Sequence, residues 1–122
     1  MGIILRGLCK CGFDTGDIFV GAGFVNFMET CNAPAICPKC SELLVRNYIK
    51  KDEARCPGCD EKVVFYDDPS LYDPSAKIEK HGYIFTWRIA DTNRFFKLPD
   101  ANFLCPACRN MTLFFEDIGS WD

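Results

Sequence analysis

Only one histidine, His81, stands in the 122 residues, so a catalytic zinc held by imidazoles has too few ligands here. Long apolar runs are missing too. The longest candidate, Asp17 to Met28, is broken by Gly21, Gly23 and Asn26 and falls short of the roughly 18 residues that suggest a membrane span. Positive charge is not in excess: 14 basic against 17 acidic residues give −3, which disfavours a protein that simply coats nucleic acid. Gly21-Ala22-Gly23 lacks the later Gly and the Lys of a phosphate loop and reads instead as a bend or close-packing point in a strand. Neither an amphipathic helix nor a βαβ pattern is visible, so a thioredoxin-like dithiol has no scaffold. The N-terminus shows no charged leader followed by an apolar stretch, and the expected compartment is the cytoplasm.

Cysteine is abundant instead: Cys9, Cys11, Cys31, Cys37, Cys40, Cys56, Cys59, Cys105 and Cys108. Thiols inside the cell are kept reduced, and an odd count leaves one over in any closed disulfide set, so metal ligation is the expectation. Three pairs have the form C-P-x-C (Cys37/Cys40, Cys56/Cys59, Cys105/Cys108), and a fourth is the tighter Cys9-Lys10-Cys11. Two intervening residues make a turn that points both sulfurs at one tetrahedral ion. Pro after the first Cys fixes the backbone and leaves the next N–H groups to point at the thiolates. Four pairs and a single give two four-thiolate sites and a spare, hence an expected two Zn²⁺ per chain, with iron as the other candidate.

The middle pairs read C-x2-C-x15-C-x2-C from Cys37 to Cys59. Leu43 to Ile49 between them, and Lys62 to Tyr66 after them, are β-branched and aromatic enough for strands, with a polar turn at Lys50 to Glu53. This order of knuckle, strand, turn, knuckle, strand over Ala35 to Asp67 resembles the zinc ribbon, within the rubredoxin-like group. The resemblance implies Cys37, Cys40, Cys56 and Cys59 as ligands of one ion. The sequence departs from the pattern after the second Cys of each knuckle, where Ser41 and Asp60 stand in the place of the usual Gly.

Cys9, Cys11, Cys105 and Cys108 remain for a second ion, clamped between strands near the two ends. A rival pairing joins Cys9/Cys11 to Cys37/Cys40 and Cys56/Cys59 to Cys105/Cys108. The ribbon pairing is favoured because closing its short loop costs less entropy. Cys31 reads as a small buried hydrophobe, and His81 as part of a surface turn.

Residues 67–76 carry two prolines and three aspartates, and 68–76 read as a loop. Beyond it, Gly82 to Ile89 alternates as a strand, Asp91-Thr92-Asn93 turns, and Arg94 to Leu98 returns. Trp87, Arg88, Arg94, Phe95, Phe96 and Lys97 interleave rings with cations, the pattern that stacks single-stranded nucleic acid. The same pattern arises when one face of a hairpin supplies core and the other carries charge.

The sequence therefore predicts a mostly β, metal-stabilised chain of zinc-ribbon or rubredoxin-like hairpins with little helix. Its segments are an N-terminal hairpin region with the C-x-C pair (1–34), a ribbon (35–67), a loop (68–76), and an aromatic hairpin with the last knuckle (77–122), together one compact unit. The expected function is an interaction module with structural zinc, bound to a protein partner, with no catalytic site and no membrane. A nucleic-acid binder acting through residues 83–97 and a rubredoxin-like iron electron carrier are the alternatives. Each Zn²⁺ with four thiolates is net −2, so two take the chain from −3 to about −7, further against a general nucleic-acid binder.

Overall fold

A computed structural model of the chain describes residues 2–23, 28–73, 82–89 and 92–121. It is mostly β, with no helix of seven or more residues among those described. In chain order the strands are β1 (Gly2–Cys9), β2 (Asp14–Gly21), β3 (Asn32–Cys37), β4 (Glu42–Asn47), β5 (Val64–Phe65), β6 (Tyr83–Arg88), β7 (Phe95–Pro99), β8 (Phe103–Leu104) and β9 (Met111–Trp121). Short 3-10 turns cover Tyr48–Glu53 and Pro69–Leu71. Among the described residues no helix is long and apolar enough to cross a membrane.

One curled antiparallel sheet runs β4-β3-β2-β1-β9-β8, with β5 also paired to β3. β1 lies at its centre, paired with β2 from Gly2↔Gly21 to Leu8↔Asp14 and with β9 from Gly2↔Trp121 to Cys9↔Leu113. Alternation of side chains turns Leu5 of β1, Ile18 and Val20 of β2, and Leu113 and Phe115 of β9 inward. Tyr66 and Phe103 meet Phe115 there edge-on, at ring-centroid distances of 5.6 and 5.2 Å.

β6 and β7 form a separate hairpin, Arg88↔Phe95 through Phe85↔Leu98. Its Phe85, Phe96 and Leu98 are buried. Gly21 explains how closely it seats: a Cβ there would come within 2.8 Å of the Trp87 ring, and the backbone has φ +88°. The expected close-packing glycine is therefore between β2 and this hairpin.

The ribbon differs from expectation in two places. The strand expected to run to Ile49 ends at Asn47, whose Oδ1 accepts from the N–H of Ile49 at 3.1 Å and of Cys31 at 3.0 Å. A side chain that takes those donors breaks the ladder and starts the 3-10 turn. The strand expected over 62–66 shortens to Val64–Phe65, and both it and β4 pair with β3, which begins ahead of Ala35. Residues 24–27 lie outside the described residues, as do 74–80 and His81; Pro69–Leu71 is a 3-10 turn capped by Asp68.

Candidate metal centre

Local backbone geometry sets the sulfurs first. In each C-P-x-C turn the carbonyl of the first Cys accepts from the residue four on: Ser41 N–H to Cys37 (2.8 Å), Asp60 N–H to Cys56 (2.8 Å), Arg109 N–H to Cys105 (2.9 Å). The shorter C-x-C turn closes one residue earlier, Gly12 N–H to Cys9 at 2.9 Å. The residue after the second Cys is left-handed in all four turns, at φ +102° (Gly12), +54° (Ser41), +62° (Asp60) and +63° (Arg109). Ser41 and Asp60, the departures from the ribbon pattern, therefore adopt the conformation a glycine would.

The turns bring the cysteines into two tetrads, Cys37/Cys40/Cys56/Cys59 and Cys9/Cys11/Cys105/Cys108, with the sulfurs of each within 4.8 Å of one another. Sγ separations are 3.4 Å (Cys37–Cys59) and 3.9 Å (Cys40–Cys56) in the ribbon. In the terminal tetrad they are 3.7 Å for both Cys9–Cys108 and Cys11–Cys105. Four sulfurs about 2.3 Å from one ion stand about 3.8 Å apart at tetrahedral angles. Both donor sets fit a four-thiolate ion of that size, grouped as the ribbon pairing has it rather than as its rival.

Donors surround the thiolates. The Cys40 N–H reaches Cys37 Sγ at 3.2 Å and, despite burial, holds that thiol down to about 7. The Asn110 N–H and the Thr112 hydroxyl hold Cys108 down to about 6. Thr112 Oγ1 also lies 3.0 Å from Cys9 Sγ. Within the same clusters Cys40 is pushed up to about 12 by its bonds to Cys59 and Cys37, and Cys105 to about 12 by burial. Cys37 and Cys108 are thus the thiols whose surroundings most favour the thiolate, and Cys40 and Cys105 those whose surroundings oppose it. Thr112 was not legible as a site residue: a threonine four positions past a knuckle carries no signal of its own.

The two centres are joined. Ser41 Oγ donates to the Pro106 carbonyl at 2.7 Å, linking a ribbon knuckle to the C-terminal one. Cys31 belongs to neither tetrad; it is fully buried, and burial pushes its thiol up to about 12.

The aromatic and basic residues split by strand alternation. Phe96 is wholly buried, edge-on to Tyr48 at 5.0 Å, and Trp87 leans inward against Phe85. Phe96 is therefore not available to a partner: its register pairs it with Trp87, one position along from the outward pair Arg88 and Phe95 and so on the other face. Arg88, Arg94, Phe95 and Lys97 stay exposed. Lys97 Nζ sits 5.4 Å from the Phe95 ring centroid and 5.5 Å from that of Tyr83.

Comparison with protein-family models, with curated proteins and with solved structures finds no match to this chain.

Proposed function

We propose that the chain is a small cytoplasmic zinc protein in which two four-thiolate ions are structural, and that it works as an interaction module without a reaction of its own. The observation that carries this reading is the pair of cysteine tetrads at tetrahedral sulfur spacing. Cys37, Cys40, Cys56 and Cys59 would hold one ion and Cys9, Cys11, Cys105 and Cys108 the other. The ion's contribution is charge compensation and cross-linking. Four protein ligands close a zinc site, whereas a catalytic zinc keeps a position for water. The Cys40 amide and the Thr112 hydroxyl stabilise the thiolate charge that the ion leaves uncompensated.

The exposed hairpin face supports a protein partner better than stacked bases. The Phe95 and Tyr83 rings carry Lys97 over them, and Phe96 is buried.

Metal analysis of protein purified from its native host, with a visible absorption spectrum, tests the reading. Two colourless zinc ions per chain are expected. A coloured iron protein would replace it with the electron-carrier alternative, and a single ion with four free thiols in one tetrad would overturn the two-site assignment.

A further inference from the structure

The sheet leaves one edge of β2 open. β1 pairs with β2 along one side, but among the described residues β3 meets its other side only at Gly21↔Asn32. Beyond that point β5 pairs with β3 at Ala35↔Phe65 and Ile36↔Val64, so β2 and β3 part. The space between β2 and β4 is a groove of about 630 Å³. Asp17, Ile18 and Phe19 of β2 all line it. Consecutive side chains of a strand point to opposite faces, so a cavity that touches three in a row meets the strand edge-on, along its main chain. β4 contributes Leu43 and Val45, two apart and thus on one face: an apolar floor beside an open strand edge.

The charge on the rim has one sign. Asp14 is paired with Arg6, its Oδ2 2.6 Å from the guanidinium. Asp17 and Glu42 are exposed and make no ion pair among the described residues. The chain is net negative before any metal binds, and two four-thiolate zinc centres add to that charge. A second copy would bring the same sign to this rim, so complementarity selects a basic partner.

We propose that this groove binds an extended peptide segment of alternating apolar and basic residues, which adds a strand to the open edge of β2. Its main chain pairs with β2, its apolar side chains lie on Leu43 and Val45, and its cations face Asp17 and Glu42. The inference rests on the interaction-module reading above and gives that module its binding surface and partner chemistry.

The test is a phage-displayed library of random twelve-residue peptides panned on the full chain, after its metal content has been measured. Metal content tests the structural-ion reading by itself; the panning tests the groove. The expected winners alternate apolar and basic residues. Their affinity should fall tenfold or more with D17K/E42K at unchanged metal content, and again when alternate peptide nitrogens are methylated. Hydrogen exchange should slow along residues 15–20 when such a peptide binds. No enrichment, acidic winners, or binding indifferent both to D17K/E42K and to N-methylation would each overturn the proposal. A concentration-dependent dimer with slowed exchange at the same edge would overturn it in favour of self-association.

Discussion

The phenol of Tyr66 donates a hydrogen bond to the carbonyl of Leu104 at 2.9 Å. Leu104 immediately precedes Cys105, and Tyr66 follows β5, so this bond ties the ribbon to the knuckle of the other tetrad. The Tyr66 N–H meanwhile bonds the Pro34 carbonyl at 3.1 Å, anchoring the same residue in the ribbon. Burial raises the Tyr66 hydroxyl above the usual tyrosine range, so it stays a donor.

Tyr66→Phe keeps the ring contacts with Phe103 and Phe115 and removes only this bond. The expected cost is about 1–2 kcal/mol in urea unfolding of the metal-loaded chain, with two ions still bound. A variant as stable as the parent would show that the two halves do not depend on the bond.

The left-handed residues give a second prediction. A side chain other than Gly, Asn or Asp pays roughly 1–2 kcal/mol in this region, and Gly loses about 0.5–1 kcal/mol of that gain through its freer unfolded chain. Arg109→Gly should therefore stabilise by about 0.5–1 kcal/mol, and Asp60→Gly by less. Gly12→Ala, at φ +102°, should destabilise. Thermal unfolding of the three metal-loaded variants checks the order, and Arg109→Gly melting below the parent would contradict it.

The C-P-x-C spacing made the tetrads legible because a knuckle is local: the turn that gathers two sulfurs lies within five residues. The strand through the middle of the ribbon was not legible. β3 contains Pro34, which lacks the donor a central strand needs. The structure accommodates it by direction. A strand residue's N–H and C=O leave on the same side, and the Pro34 carbonyl points to Tyr66. Its missing N–H thus faces the end of the two-residue β5, and the six-pair ladder between β3 and β4 is not interrupted. The inward turn of Phe96 was similarly hidden, since Phe95 and Phe96 are adjacent and only the register with β6 says which is core.

Cys31 separates a core thiol from the ligands. Burial, with the nearby Asp67 charge, opposes its thiolate and pushes the thiol from the usual value of about 9 up to about 12. A thiol raised in the folded state contributes stability that is full below the unfolded value and is lost as pH climbs from about 9 towards 12. That loss should shrink in Cys31→Ala. In the native metal-loaded chain at pH 8, Cys31 should resist iodoacetamide and become labelled only on unfolding. Cys31→Ser should keep both ions yet cost about 1–3 kcal/mol, because a fully buried hydroxyl is more costly to strip of water than the thiol it replaces. A drop in metal content would make Cys31 a ligand.

The terminal tetrad closes nearly the whole chain, and that sets its energetic signature. Cys9 sits at the end of β1, whose ladder with β9 runs from Gly2↔Trp121 to Cys9↔Leu113, so an ion held by this tetrad would fasten the same two strands as the ladder. A cross-link spanning about 100 residues removes more unfolded-state entropy than one spanning about 20, by about 1 kcal/mol in the simple loop model. Cys105→Ser and Cys56→Ser each break one tetrad, and each should lower the metal count from two to one. Alkylation should then mark Cys9 and Cys11 in the first variant, and Cys37 and Cys40 in the second, with the other tetrad protected. The first should be the less stable in urea by roughly that 1 kcal/mol. It should also aggregate faster, since loosening β9 bares the edge of β1 from Ile3 to Leu8. Labelling of Cys56 and Cys59 in the Cys105→Ser chain, with Cys9 and Cys11 protected, would mean that the ions join the knuckles in the rival arrangement.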